Sequence, residues 1–238
     1  MERRRVAVTG MGVVAPCGIG LEEFWAGLFT SPDDQVRLVE DFDPSPYFEN
    51  PKEVRRTDRF SQFSMAAAVM ALEQAGDVAA GHPESVGVTI GTGIGGLDTT
   101  EANVIAMREK GPRRVSPFLV PMMMPNAAGA AVSMRFGFQG PCETTVTACA
   151  AGTHSIGSAL RFIRSGVCDS MIAGGTESAL TVTAVQGFTN MTALSSEGRS
   201  APFAADRDGF VIAEGAAVLV LEEMDRAVAR GATILAEV

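Results

Sequence analysis

The chain has 238 residues, of which 46% are hydrophobic and 20% are charged. This length and composition are typical of a folded protein with an ample core, and they exclude an intrinsically disordered chain. The formal net charge of −9 argues against binding along a nucleic-acid backbone.

Strand-like apolar runs alternate with helical stretches along the chain, which predicts an α/β layered domain. In the first part, strands are predicted at 6–10 and 86–90, helices at 21–29, 60–75 and 99–109, and irregular structure at 36–47. Three prolines make 115–125 a predicted loop. Beyond it, helices are predicted at 126–136, 150–165 and 225–230, and strands at 144–148, 170–173, 216–222 and 234–238.

No apolar run approaches the roughly 18 residues that a membrane-spanning helix needs. The charged start, Met1–Arg5, lacks the apolar region and the cleavage site of a secretory signal. We therefore expect a cytoplasmic protein that does not bind membranes. Its four cysteines have no CxxC spacing, which predicts free thiols and neither a metal site nor a cofactor.

Two local basic clusters interrupt the acidic average. They consist of Lys52, Arg55 and Arg56, and of Arg113 and Arg114. From the residues alone, they are either solvated surface charge or a docking site for a small acidic partner.

Two glycine patterns resemble dinucleotide-binding fingerprints. Gly10–Ala15 reads GMGVVA, and Gly91–Gly96 reads GTGIGG, each after a predicted strand. A fingerprint requires a helix directly after the glycines, with its N-terminus facing the pyrophosphate. Pro16 and Gly18 oppose such a helix in the first pattern, and Gly96 delays it in the second. We therefore interpret both patterns as tight turns beneath an active site.

Cys149 follows a β-branched run, 144–148, and precedes a helix rich in small residues. A residue at such a strand-to-helix turn is held on a sharp bend, and the amides and dipole of the helix favour an anion there. The sequence thus favours a reactive thiol over a buried, inert one. His154, five residues on, is about 140° around the helix, so we expect a packed core histidine rather than a base. His82 is expected at the surface.

The acidic stretch 203–217 has no single interpretation. Asp206, Arg207 and Asp208 are expected to form a salt-bridged turn, and Glu214 is expected to cap a strand. If Glu214 is buried, its carboxylate needs partners, which the sequence does not name.

Taken together, these motifs resemble the β-ketoacyl-acyl-carrier-protein synthases, most closely the elongating type II enzymes of fatty-acid and polyketide synthesis. The resemblance rests on five segments in the right order, and it runs from Val6 to the last residue. They are Gly91–Gly96, Val115–Phe118, Thr147–Gly152, Ala173–Glu177 and Asp206–Phe210. It implies a thiolase-like fold, of which residues 1–238 form one N-terminal domain with the order βαβαβαββ and a mixed sheet between helix layers.

The resemblance also implies roles for particular residues. Cys149 falls on the family's nucleophile, whose own amide is one oxyanion donor. Ile94 falls on a gate at the acyl pocket, Leu119 on a position that closes the pocket across a dimer, and Phe188 on the mouth. The basic residues Lys52, Arg55, Arg56, Arg113 and Arg114 fall on the patch that grips acyl carrier protein, where Thr192 replaces one further basic residue.

The family's decarboxylation residues, two histidines and a lysine, are expected in a C-terminal half that this sequence lacks. Two hypotheses follow. The chain is the acyl-accepting half of a condensing enzyme, acting as a homodimer or paired with a complementary half, or it is a non-catalytic scaffold that holds carrier protein.

Overall fold

The computed structural model describes residues 4–30 and 36–238; residues 1–3 of the charged start lie outside this part. The strands are β1 Val6–Ala15, β2 Gly18–Ile19, β3 Val36–Arg37, β4 Val86–Gly91, β5 Cys142–Glu143, β6 Ser170–Glu177, β7 Ile212–Ala213, β8 Gly215–Glu223 and β9 Ala236–Glu237. The helices are α1 Leu21–Gly27, α2 Pro51–Val54, α3 Arg59–Ala75, α4 Leu97–Lys110, α5 Leu119–Met123, α6 Ala127–Phe136, α7 Ala151–Arg164, α8 Val182–Asn190 and α9 Met224–Ala229.

One mixed sheet carries the strands in the order β2-β1-β8-β6-β4-β5, with β9 also paired to β1. Strand β4 is parallel to both β5 and β6, whereas β8 is antiparallel to β6 and to β1. The parallel pairs place the carboxyl ends of β4, β5 and β6 at one edge of the sheet. Loops at such an edge commonly carry functional residues.

Helices cover both faces of this sheet. The alternation of side chains along β6 sends Ile172 into the core beneath α3 and α6, and Met171 and Ala173 into the core beneath α7. The first core includes the fully buried Phe60 and Phe63 of α3. The main elements follow the order β1-α3-β4-α6-β5-α7-β6-β8, so the expected βαβαβαββ order and the mixed sheet between helix layers are confirmed.

The first glycine pattern is not a turn, which corrects the sequence interpretation. Strand β1 continues through Ala15, and Gly10 and Gly12 lie within it. A Cβ on Gly12 would come within 2.0 Å of the Ala67 carbonyl oxygen, and one on Gly10 within 2.0 Å of the Ala71 oxygen. The glycines therefore let the backbone of α3 approach the strand closely.

The predicted strand at 144–148 is also wrong. In the described part of the chain, regular pairing of β5 ends at Glu143, and beyond it the Thr92 amide donates to the Thr145 carbonyl (3.1 Å). β-branched residues favour a strand, but the tertiary turn before Cys149 overrides that preference. Helix α8 was not predicted, and α5 lies inside the predicted loop 115–125. In the described part of the chain, no helix is long and apolar enough to cross a membrane.

Candidate active site

Cys149 lies on a sharp turn between β5 and α7. Ala148, directly before it, has a φ of 48°, which is unusual for a residue with a side chain. The Ala151 amide donates to the Ala148 carbonyl (3.1 Å), which closes the turn onto the first turn of α7. The side chain of Cys149 is exposed. The expected bend at a helix N-terminus is thus confirmed, although a strand does not lead directly into it.

The environments of two other cysteines oppose reactivity. Cys168 is buried, and burial together with the neighbouring Asp169 raises its pKa to about 11. Cys142 has an exposed surface, yet the groups around its sulfur desolvate the thiolate and raise its pKa. Because the thiolate is the nucleophile, a raised pKa makes both thiols poor nucleophiles near neutral pH.

Cys149 opens into a cavity of about 790 Å³. This volume suits a small-molecule or acyl-chain ligand. The walls include two of the predicted substrate-binding residues, Ile94 and Phe188, while Leu119 lies in α5 outside them. Phe188 packs edge-to-face on Phe210, with 5.6 Å between ring centroids, and Phe210 also lines the cavity. The role expected of Leu119 across a dimer stays a prediction.

Glu177 is a site residue that the sequence analysis did not single out. It ends β6 and lines the cavity beside the Gly91–Gly96 loop. Its Oε2 accepts the backbone amides of Gly93 (2.7 Å) and Ile94 (3.0 Å), and its Oε1 accepts the Thr92 hydroxyl (3.2 Å). One sequence feature could have identified it: Glu177 is an acidic residue at the end of β6, and β6 is parallel to β4, the strand before the glycine loop. The second glycine pattern is indeed a tight loop beside Cys149.

Glu214 also lines the cavity, and it is buried, so its carboxylate needs partners. Arg59 grips it through two nitrogens, with Nη2 2.7 Å from Oε1 and Nε 2.9 Å from Oε2. The Ser178 hydroxyl (2.8 Å) and the Val39 amide (2.9 Å) complete its partners. This carboxylate is therefore a paired structural group rather than a free base.

The acidic residues of the turn at 206–208 bind partners outside the turn, whereas the sequence predicted a salt-bridged turn. Asp206 binds Arg199 (2.9 Å) rather than Arg207. Asp208 accepts the hydroxyls of Ser195 (2.6 Å) and Ser196 (2.8 Å), and these bonds lower its pKa to about 2. The turn is thus tied to the segment 195–199.

His154 is not the core residue that the sequence predicted, because it is exposed on α7. Its Nδ1 lies 2.9 Å from the Thr147 hydroxyl. His82 is at the surface, as expected, and faces Glu84 at 3.2 Å. Among the described residues, neither histidine lines the cavity, which agrees with excluding His154 as a base for Cys149. The described ranges also contain no cluster of His, Cys, Asp and Glu suited to a metal ion.

One aromatic contact links the two basic clusters. All five side chains are exposed: Lys52, Arg55, Arg56, Arg113 and Arg114. The Arg56 guanidinium stacks over the Phe118 ring at 4.8 Å, and Phe118 follows Arg113 and Arg114 in the chain. Separately, the Asp58 Oδ2 accepts the Thr99 amide at the start of α4 (3.0 Å). We call these five residues the basic surface.

Residues 32–227 match the family model of the β-ketoacyl synthase N-terminal domain. The chain belongs to the β-ketoacyl synthase family. It is 41% identical to a 3-oxoacyl-(acyl-carrier-protein) synthase 2 of Synechocystis over its whole length, which is 62% of that relative. A synthase of the same name from Rhizobium meliloti is 43% identical and matches 99% of the chain, or 63% of its own length.

Solved structures agree with this family. The ishigamide ketosynthase/chain length factor matches the whole of this chain with a TM-score of 0.90 and 32% identity, and the match covers 62% of the ketosynthase's own chain. A type II polyketide ketosynthase, solved with its acyl-carrier protein and bound to the hexaketide, matches 99% of the chain with a TM-score of 0.84 and 31% identity, over 67% of its own. These matches confirm the thiolase-like fold, and the chain spans about three fifths of the length of its curated relatives (62%).

Proposed function

We propose that this chain is the acyl-accepting half of a β-ketoacyl-acyl-carrier-protein synthase. The observation that carries the proposal is the exposed Cys149 on its strained turn, opening into a cavity with Ile94 and Phe188 in its walls. Residues 1–238 would form the N-terminal domain of such an enzyme, in fatty-acid or polyketide synthesis.

The first chemical step follows from the turn. The Cys149 thiolate attacks the carbonyl carbon of an acyl thioester, and the tetrahedral intermediate expels the carrier thiolate, which takes up a proton. The Cys149 amide, beside the N-terminus of α7, is proposed as one donor to the oxyanion. The acyl chain then remains on Cys149 and lies in the cavity past Ile94.

The second step is a decarboxylative Claisen condensation. Loss of carbon dioxide from a malonyl thioester gives a carbanion equivalent, which attacks the acyl carbonyl and releases the Cys149 thiolate. Proton transfer and charge stabilisation in this step need further groups, and the described cavity residues include no imidazole. We assign these groups to the part of the relatives' length that the chain does not span.

The basic surface is proposed as the docking site for an acidic acyl carrier protein. Five exposed cations on a chain of net charge −9 form a local positive field that would steer such a partner. The acyl-carrier protein named with the structural relative supports this choice of partner.

Pairing with a complementary half or with a second copy is also proposed. Large apolar side chains are exposed, among them Phe203 (99%), Val182 (79%), Met134 (78%) and Val146 (54%). Such side chains are available for contact with a partner, and an interface would require them to form a contiguous patch. Cytoplasmic localisation is proposed because the cysteines at 17, 142, 149 and 168 are free thiols.

Acyl transfer tests the proposal directly. We expect the chain, incubated with acyl-loaded carrier protein, to gain one acyl group, and Cys149→Ser to gain none as a thioester, by intact mass spectrometry. Cys142→Ser is the matched control and should still be loaded. Binding of carrier protein without transfer, with or without a complementary half, would favour the non-catalytic scaffold instead.

Comparing two acyl donors, carrier protein and a small acyl thioester, separates the effect of docking from the effect on the chemical step. Charge reversal of Arg55 and Arg56 to Glu should slow loading from carrier protein by about tenfold or more, because each lost contact across such an interface costs about 1 kcal/mol. Loading from a small acyl thioester without a carrier should be unchanged. Equal slowing with both donors would contradict the docking role.

A further inference from the structure

We propose that Glu177 is a positioning residue, which holds the Gly91–Gly96 loop against the Cys149 turn and so controls how long an acyl chain the cavity admits. The inference rests on the proposed function, since it assigns a determinant of acyl-chain selectivity to the same site. Its evidence is the geometry of the loop.

The sheet itself brings Glu177 to the loop. Strands β4 and β6 are parallel, and Gly91 is the register partner of Gly175. Gly93 lies two residues beyond Gly91, in the loop after β4, and Glu177 lies two residues beyond Gly175, at the end of β6. The backbone ladder stops at the glycines, and beyond it the Glu177 carboxylate accepts the Gly93 and Ile94 amides. A charged acceptor makes these bonds stronger than the neutral bonds of the ladder.

A second bond extends the hold to the far end of the loop. The Thr92 hydroxyl donates to Glu177, and its oxygen accepts the Gly95 amide (3.2 Å). Gly95 has a φ of 86°, a conformation that glycine adopts without strain. One carboxylate therefore fixes, directly or through Thr92, the amides of Gly93, Ile94 and Gly95.

The loop also lies close to the nucleophile turn. A Cβ built on Gly93 would lie 2.8 Å from the Glu177 Oε2 and 3.5 Å from the Cα of Ala148. Gly93 thus lies beside both the carboxylate and the residue that precedes Cys149. Movement of the loop would alter the space beside the thiol.

Ile94 links the position of the loop to the length of acyl chain that the cavity admits. Its side chain lines the cavity but is 42% exposed, so packing restrains it only in part. Its position depends on its backbone, which Glu177 holds. Without the carboxylate, the loop is free to move Ile94 out of the path of a long chain, whereas a short chain does not reach it.

Two alkylating reagents test this without any enzyme partner. N-ethyl and N-octyl iodoacetamide react with Cys149 in the same way: the thiolate displaces iodide and a carbon–sulfur bond forms. The ratio of the octyl to the ethyl rate, followed on the Cys149 peptide by mass spectrometry, reports chain-length selectivity. A merely structural role would change both rates together.

We expect Glu177→Ala to raise this ratio several-fold with little change in the ethyl rate, and Glu177→Gln, which keeps one acceptor oxygen, to raise it less. In an Ile94→Ala background, Glu177→Ala should have no further effect, because both changes act through the same side chain. Glu223→Ala is the matched control. Glu223 also accepts a backbone amide, that of Arg226 (2.9 Å), but outside the cavity.

An unchanged ratio in Glu177→Ala, an additive effect in the double variant, or the same shift in Glu223→Ala would overturn the inference. Failure of the ethyl reagent to label Cys149 would overturn it together with the proposed function. A shifted ratio in a chain that no acyl thioester loads would leave the positioning role standing and remove only the proposed function.

Discussion

Two segments of this chain share a pattern, a strand with glycines two residues apart, but one segment is packed in the core and the other borders the candidate active site. Gly10 and Gly12 lie inside β1, where the carbonyl oxygens of α3 occupy the space that a side chain would need. Gly91 ends β4, and Gly93 lies in the following loop, beside both Glu177 and Ala148, the residue before Cys149. In both places the glycines lack a side chain because other atoms lie close to the backbone. In β1 these atoms are carbonyl oxygens of a packed helix, and at Gly93 they belong to the Glu177 carboxylate and the turn before Cys149.

The largest effect is expected in β1, the packed segment. Gly12→Ala would place a Cβ within 2.0 Å of the Ala67 oxygen, so α3 must shift away from the sheet. We expect a loss of about 3 kcal/mol of unfolding free energy in urea. Gly157→Ala is the control, because its Cβ meets nothing within 4 Å in α7, and it should stabilise by roughly 0.5–1 kcal/mol. Similar stabilities for the two variants would contradict the close packing.

Breaking the ion pair between Arg59 and Glu214 should lower the free energy of unfolding about as much as Gly12→Ala does. Arg59→Met leaves the Glu214 carboxylate, 1% exposed, without its cation, and breaking such a pair costs about 3 kcal/mol. Arg5→Met breaks a pair with Glu237 whose side chains are 64% and 43% exposed, so it should cost far less stability, because solvent screens such a pair. Urea unfolding compares the two, and equal losses would show that the Arg59 pair is not desolvated.

The loop after β4 should tolerate a methyl group better than β1 does. In Gly93→Ala the nearest atom is the end of the Glu177 side chain, at 2.8 Å, which can move. We expect a loss of about 1 kcal/mol, equivalent to one weakened hydrogen bond, together with a raised ratio of the N-octyl to the N-ethyl iodoacetamide rate at Cys149. A loss as large as that of Gly12→Ala, or an unaltered rate ratio, would remove the distinction between the two segments.

The smallest effect concerns pH and the turn at Asp208. Its hydrogen bonds from Ser195 and Ser196 lower its pKa to about 2, below the value of about 3.9 in an unfolded chain. Because the folded pKa is depressed, the stabilisation is present above the unfolded value and is lost as pH falls from about 4 to about 2. The urea midpoint of Asp208→Asn should therefore be lower than that of the unsubstituted chain at pH 6, with the difference shrinking below pH 4. A difference between the two urea midpoints that stays constant from pH 6 to below pH 4 would contradict a lowered pKa of Asp208 in the folded chain.

Much of the fold was readable from periodicity and motifs, because long apolar helices such as α3 and buried strands such as β4 and β8 have strong patterns. The turn at Cys149 was located, but a β-branched run was mistaken for its strand, since the fold bends the chain there. Gly10 and Gly12 were misread because a close helix packing leaves the same sequence pattern as a turn.

The partners of the site residues were the least predictable. The pairing of Glu214 with Arg59 spans 155 positions, and no local spacing reveals it. Glu177 was quoted within a family motif, but its contact with the glycine loop depends on the register between β4 and β6. Likewise, the basic surface becomes one feature only when Arg56 packs on Phe118.

Site-mapped acyl transfer tests the central claim most directly. After incubation with acyl-loaded carrier protein, proteolysis and mass spectrometry should find one acyl group per chain on the Cys149 peptide and none on the peptide of the buried Cys168. An unmodified Cys149, or acyl groups spread over several cysteines, would contradict the assignment of Cys149 as the acyl-accepting nucleophile.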